Sequence, residues 1–196
     1  MRFLVKYNLH ILTVAGALVL AYTIFAWESI PETQRAIGLF IAGITLHEWE
    51  EMRFPGGFFG LMAKKFGLSD VTEEKMDKAH GAVVIAIVFF AFIPFFLPGV
   101  AWLSAVPAIL GIFESFIHIV GIKIHGLKRP YTPGMATAQL CLLPPSIWIL
   151  SLVGGELGVW WAASFAWYLA TFILMEVIVW GAFGTNPKKI MANMRK

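Results

Sequence analysis

The chain has 196 residues, of which 59% are hydrophobic and only 14% charged, and its mean hydropathy is +0.76. Soluble globular domains run at about 45–50% apolar and about 25% charged, so this composition excludes an ordinary soluble domain. The net charge of +3 comes from basic residues flanking the apolar runs. No aromatic-laced basic patch of the kind that holds nucleic acid is present, and a nucleic-acid partner is not expected.

A bilayer core of about 30 Å takes about 20 helical residues to cross. On that measure the apolar runs predict six spans, over 8–27, 34–53, 78–97, 101–125, 133–153 and 158–183. The first run is longer than a signal-peptide core and lacks a convincing cleavage site, so it reads as a retained span. Pro31 opens the second helix and Phe54-Pro55-Gly56-Gly57 closes it. Phe58–Phe66, with Lys64 and Lys65, is an amphipathic segment expected to lie along the membrane surface. Asp70-x-x-Glu73 then has the form of a capping box for the helix entering span three.

Pro98-Gly99 predicts a tight turn between spans three and four. Pro133-Gly134 opens span five, Gly154-Gly155 closes it, and span six ends at Gly184. Prolines inside spans three to five predict bends. The single cysteine, Cys141, lies in an apolar run and leaves no disulfide framework. The expected fold class is all-α: a polytopic membrane helix bundle, residues 1–196 forming one transmembrane domain.

Lys and Arg set the expected orientation. Arg2 and Lys6 precede span one; Arg53, Lys64, Lys65, Lys75 and Lys78 lie between spans two and three. Lys123, Lys128 and Arg129 join spans four and five, and Lys188, Lys189, Arg195 and Lys196 end the chain. By the positive-inside rule both termini are cytoplasmic, in a multi-pass protein of the cell membrane.

Against this background the polar residues inside spans stand out, because a charge at the centre of a bilayer helix costs about 2.5–3.5 kcal/mol on insertion scales. Span two ends in His47-Glu48-Trp49-Glu50-Glu51. His47, Glu50 and Glu51 are three and four residues apart and share a face, while Glu48 is expected to point to the interface. Glu114, His118 and His125 line one stripe of span four, His80 stands at the start of span three, and Glu176 interrupts span six. At 1.5 Å per residue these groups fall in the cytoplasmic half, with Glu114 deepest and His80 and His125 near the mouth. His10, near the start of span one, reads as an interfacial side chain.

Helix bundles build carboxylate–histidine metal sites from ligands that project inward from facing helices. His47, Glu50, Glu51, His80, Glu114, His118, His125 and Glu176 are therefore the candidate metal ligands. Glu50 and Glu51 are also candidate catalytic bases, and Thr137 and Gln139 candidate supporting donors. Imidazole suits zinc and iron among others, and the supply of donors exceeds what one tetrahedral ion needs. The cofactor expected is a divalent metal, zinc or iron, in a mononuclear or a glutamate-bridged dinuclear centre.

The sequence resembles the HXXEE family of bacterial integral membrane proteins. The likeness rests on His47-Glu48-Trp49-Glu50-Glu51, Phe54-Pro55-Gly56, Glu114-x-x-x-His118 and Tyr131-Thr132-Pro133-Gly134. It implies a bacterial inner-membrane location and the importance of His47, Glu50 and Glu51, and it supplies no reaction. The residues themselves favour a metal-dependent enzyme, a hydrolase or an oxygen-activating oxidase, acting on a hydrophobic small-molecule or lipid substrate drawn from membrane lipid. The alternative is a metal-ion or proton transporter or sensor using the same groups. A purely structural polar core is the third reading.

Overall fold

The structure is a computed structural model, and it describes residues 2–68 and 70–186. The expected tail charges Lys188, Lys189, Arg195 and Lys196 lie outside the described residues, as does the side chain of Arg2. The described residues are helical throughout, without strands.

A five-residue helical turn, Arg2–Lys6, leads into α1, Asn8–Phe25. Then come α2, Glu32–Met52; α3, Phe58–Phe66; α4, Glu73–Phe96; α5, Ala101–Ile124; α6, Met135–Glu156; and α7, Gly158–Ala182. Five of these, α1 and α4 to α7, are long and apolar enough to cross a membrane. The other long helix is α2, which carries Glu32, Arg35, Glu48, Glu50 and Glu51. It keeps these charges because it runs through the middle of the bundle, packed on α1 and α6. Ala36, Ile37, Phe40 and Ile41 are fully buried. Six long helices therefore stand where six spans were expected, but the second is a core helix sheathed by its neighbours, not a lipid-facing one.

Proline shapes α4 and α6. A proline inside a helix removes one backbone donor and clashes with the preceding turn, and here that turn widens into π-helix. Val88–Phe92 does so ahead of Pro94, and Ala138–Leu142 ahead of Pro144 and Pro145. Backbone carbonyls at these places find side-chain donors: Ser115 Oγ donates to the Ala138 carbonyl at 3.0 Å, and Gln34 Nε2 to that of Phe95 at 3.0 Å. A membrane bundle needs such partners, since lipid offers none.

The cap of α4 departs from expectation. Thr72, not Asp70, is the capping residue, accepting from the Lys75 backbone N–H at 3.4 Å. Asp70 instead meets Lys75 Nζ at 2.5 Å outside the helix. The amphipathic α3 forms at the expected place. It buries Phe59 and Ala63 and leaves Lys64 and Lys65 exposed.

Six helices meet at one end of the bundle. Asn8 of α1 bonds to α4, and α2 bonds to the segment that opens α6. There α3 packs beside the end of α7, with Phe59 and Phe183 ring centroids 5.6 Å apart. The functional residues collect at this end.

Candidate metal centre

The last turns of α2 and the middle of α5 face each other and bring four acceptor-rich side chains to one point. His118 Nε2 lies 3.2 Å from Glu51 Oε1 and 3.6 Å from Glu114 Oε2. His47 Nε2 lies 3.6 Å from Glu51 Oε1 and 3.8 Å from Glu114 Oε2. His47, His118 and Glu51 are buried, and Glu114 is half-buried. The donor atoms of His47, Glu51 and His118 all lie within 4.8 Å of one another. Among the described residues this is the group that could hold a metal ion.

Hydrogen bonds fix which imidazole nitrogens carry protons. His47 Nδ1 lies 3.0 Å from the Gly134 carbonyl, which can only accept, so Nδ1 bears a hydrogen and the neutral ring keeps its lone pair on Nε2. His118 Nδ1 lies 3.0 Å from Thr132 Oγ1, whose own hydrogen goes to the His118 carbonyl at 3.1 Å. His118 therefore donates from Nδ1 as well, and its Nε2 is left bare. That Nε2 is buried and has no hydrogen-bond partner. With both rings neutral, the two Nε2 lone pairs beside the Glu51 and Glu114 carboxyl groups are complementary to a cation between them.

The segment between α5 and α6 lies over the centre like a strap. Gly134 has φ +96°, and a Cβ there would come within 2.6 Å of His118 Cε1 and 2.8 Å of Glu51 Cγ. Glycine is thus required twice, for backbone conformation and for room.

Glu50 is not brought to the centre. Its carboxylate accepts from Tyr131 OH at 2.6 Å, Ala136 N at 3.1 Å, Thr137 N at 2.7 Å and Thr137 Oγ1 at 2.5 Å. It caps the N-terminus of α6 and ties the strap to α2, and it is not among the donor atoms that converge with His47 and His118. Burial and then the bond to Glu50 raise the Tyr131 pKa, which keeps the phenol a donor. Thr137 supports His47 as well, with Oγ1 3.1 Å from Nδ1, whereas Gln139 bonds the Ser115 carbonyl at 2.7 Å and serves helix packing.

His80 also stands apart from the centre. Asn8 Nδ2 donates to the Asp77 carbonyl at 2.7 Å, which orients its Oδ1 to accept from His80 Nδ1 at 2.5 Å. His80 Nε2 meets Glu48 Oε2 at 3.0 Å. Glu48 is only 4% exposed, so the expectation that it points to the interface is overturned. α2 is enclosed, and the face beside its ligands meets α4. Asn8 is signalled in the sequence only by its polarity at the head of an apolar run.

His125 caps α5 beyond the cluster and is partly exposed; burial and then the Lys65 ammonium lower its pKa. Glu176 is half-buried on α7 and is not among the converging donors. It does face the same cavity as Glu51, Glu114 and the Glu48–His80 pair. That cavity measures about 190 Å³ and is otherwise walled by Phe, Ile, Leu, Val, Met and Trp side chains.

An all-helical bundle with membrane-length apolar helices and a buried His/Glu cluster defines a class, membrane-type proteins with an intrahelical polar centre. Within it the chain belongs to the HXXEE family, described as "Protein of unknown function with HXXEE motif", which matches residues 38–149. The matched stretch contains His47, Glu51, Glu114, His118 and the Thr132–Gly134 strap. No curated protein and no solved structure matches the chain.

Proposed function

We propose that the protein is a membrane-embedded, metal-dependent hydrolase that acts on a hydrophobic or lipid substrate. The observation that carries this reading is the pair of Nε2 atoms, that of His118 buried without a hydrogen-bond partner, facing Glu51 and Glu114 at 3.2–3.8 Å. His47, His118 and Glu51 would hold the ion, two imidazoles and one carboxylate, a set that zinc takes in hydrolytic sites. A single centre suffices, since His80 and Glu48 satisfy each other.

A zinc ion bound there supplies a water acidified towards a pKa of about 7 and polarises a substrate carbonyl. Glu114 is the general base: it lies beside both Nε2 atoms and faces the cavity. The Gly134 strap excludes bulk water from the opposite side. The basic loops at this end support a cytoplasmic side for it, and the apolar cavity suits a substrate that enters from the bilayer.

Elemental analysis of protein purified in mild detergent tests the first half. One equivalent of zinc is expected, lost in Glu51→Ala and His118→Ala; protein that stays metal-free after zinc loading overturns the reading. A membrane-lipid extract tests the second half. Loaded protein is expected to release hydrolysis products, and Glu114→Gln to keep most of its metal while losing turnover at least about a hundredfold.

A further inference from the structure

The cavity runs along several turns of α4, and its polarity is arranged in levels. His80, Val83, Ile87 and Phe90 line it along one face of α4, ten residues that rise about 15 Å. The polar groups form a single belt: Glu48 and His80 on one side, His47, Glu51 and Glu114 on another, Glu176 on a third. On the side of the belt towards α3 the wall is Phe58, Phe59, Met62 and Leu68. On the other side, towards the bundle middle, it is wholly apolar, including Ile87, Phe90, Leu110, Phe113 and Phe172.

The inner end is closed by aromatic rings. Phe113 and Phe172 have centroids 5.4 Å apart, Phe90 and Tyr168 5.4 Å, and Tyr168 stacks on Phe172 at 5.8 Å. The belt lies one to three turns inside the helix ends, near the depth where a bilayer passes from headgroups to hydrocarbon, about 5–8 Å below the surface. Above it, α3 exposes Lys64 and Lys65. A cavity polar at that depth and dry below it, parallel to the helices, matches one hydrocarbon chain aligned as chains in the adjoining leaflet are.

We infer that the inner half of the cavity binds a single alkyl chain of a bilayer amphiphile, with the amphiphile's polar group at the His/Glu belt and the Phe90–Phe113–Tyr168–Phe172 cluster setting the longest chain accepted. This rests on the proposed hydrolase reading for what happens at the belt, but the chain site is a separate property. Measured from water, the chain gains about 0.8 kcal/mol per methylene until it reaches the aromatic end. Beyond that length additional methylenes meet rings and gain nothing.

The test uses the full chain in nanodiscs and measures displacement of tritium-labelled decanoic acid by unlabelled saturated fatty acids of increasing length, with free aqueous concentrations fixed against empty nanodiscs. Affinity is expected to climb about threefold to fourfold per methylene, the conversion of that increment, and then to level off. Phe172→Ala moves the plateau to longer chains. Val83→Trp, which fills the cavity at mid-height, weakens displacement at least about tenfold with zinc content unchanged. A length-independent displacement, or one indifferent to both substitutions, overturns the inference. Because zinc content is read in the same samples, loss of metal with retained chain selectivity sinks the hydrolase reading alone, and the converse sinks the chain site alone.

Discussion

His47 and His118 sit edge to face, ring centroids 5.0 Å apart and planes at 80°, each with its Nδ1 hydrogen committed to the strap between α5 and α6 and its Nε2 bare. Two imidazoles from different helices are thereby set in one tautomer by one stretch of chain. Partners of this kind commonly change metal affinity by about 10–100-fold when removed. Thr132→Val is expected to weaken zinc binding by that factor, read by competition with a chromophoric chelator. Unchanged affinity would mean that Thr132 does not orient His118.

Gly134→Ala should be severe for its size. The left-handed backbone adds about 1–2 kcal/mol for any other residue, and the new methyl would press on His118 and Glu51. We expect a loss of about 2–4 kcal/mol together with loss of metal, followed by thermal unfolding in detergent and elemental analysis. A variant that keeps both its stability and its zinc would show that the strap can move aside freely.

Glu50 and Glu51 are neighbours in sequence with different duties, and isosteric substitution separates them. Glu50→Gln places an amide among four donors, and hydrogen bonds to a charged group are worth about 1.5–3 kcal/mol. Its melting temperature should fall while zinc stays near one equivalent. Glu51→Gln should do the reverse, losing metal with a smaller stability change in the metal-free state. Matching behaviour of the two would contradict the division.

The Glu48–His80 pair, buried at 3.0 Å, should show strong coupling. Glu48→Leu alone strands His80 and is expected to cost about 3–5 kcal/mol, whereas Glu48→Leu with His80→Leu recovers most of it. A double-mutant cycle in denaturant measures this, and strict additivity would rule the interaction out.

Tyr168 offers a gain. Its hydroxyl is buried with no hydrogen-bond partner among the described residues, so Tyr168→Phe removes an unsatisfied polar group and is expected to stabilise by up to about 1 kcal/mol. Destabilisation would reveal a partner for the hydroxyl.

Much of this arrangement is legible in the sequence, for reasons that particular residues make plain. Helix ends are written in Pro31, Pro98-Gly99 and Gly154-Gly155, and α3 falls where Phe58–Phe66 turns amphipathic. The four-residue spacings of His47–Glu51 and Glu114–His118 assign each pair to one face, and the faces do meet. A helical wheel gives an angle, though, and never the neighbour waiting at that angle. Glu50 and Glu51 differ by 100° at most, yet one meets the start of α6 and the other the His118 ring. Glu48 could not be placed without knowing that α2 is enclosed and that α1 delivers Asn8 to His80. The tautomer-setting role of Thr132 and the Gly134 carbonyl depends on how the strap folds back, and only the Thr-Pro-Gly run marks it.

The enclosure of α2 also bears on how the chain is made. A helix ending in three glutamates partitions poorly into lipid on its own, at about 2.5–3.5 kcal/mol for each deep charge. Its shelter comes from α1, synthesised before it, and from α4, α5 and α6, synthesised after. During biogenesis α2 must therefore wait, at the insertion machinery or against α1, until residues as far as Thr137 have emerged to receive Glu50. Assembly of the centre and stable integration of its own helix into the membrane are one event.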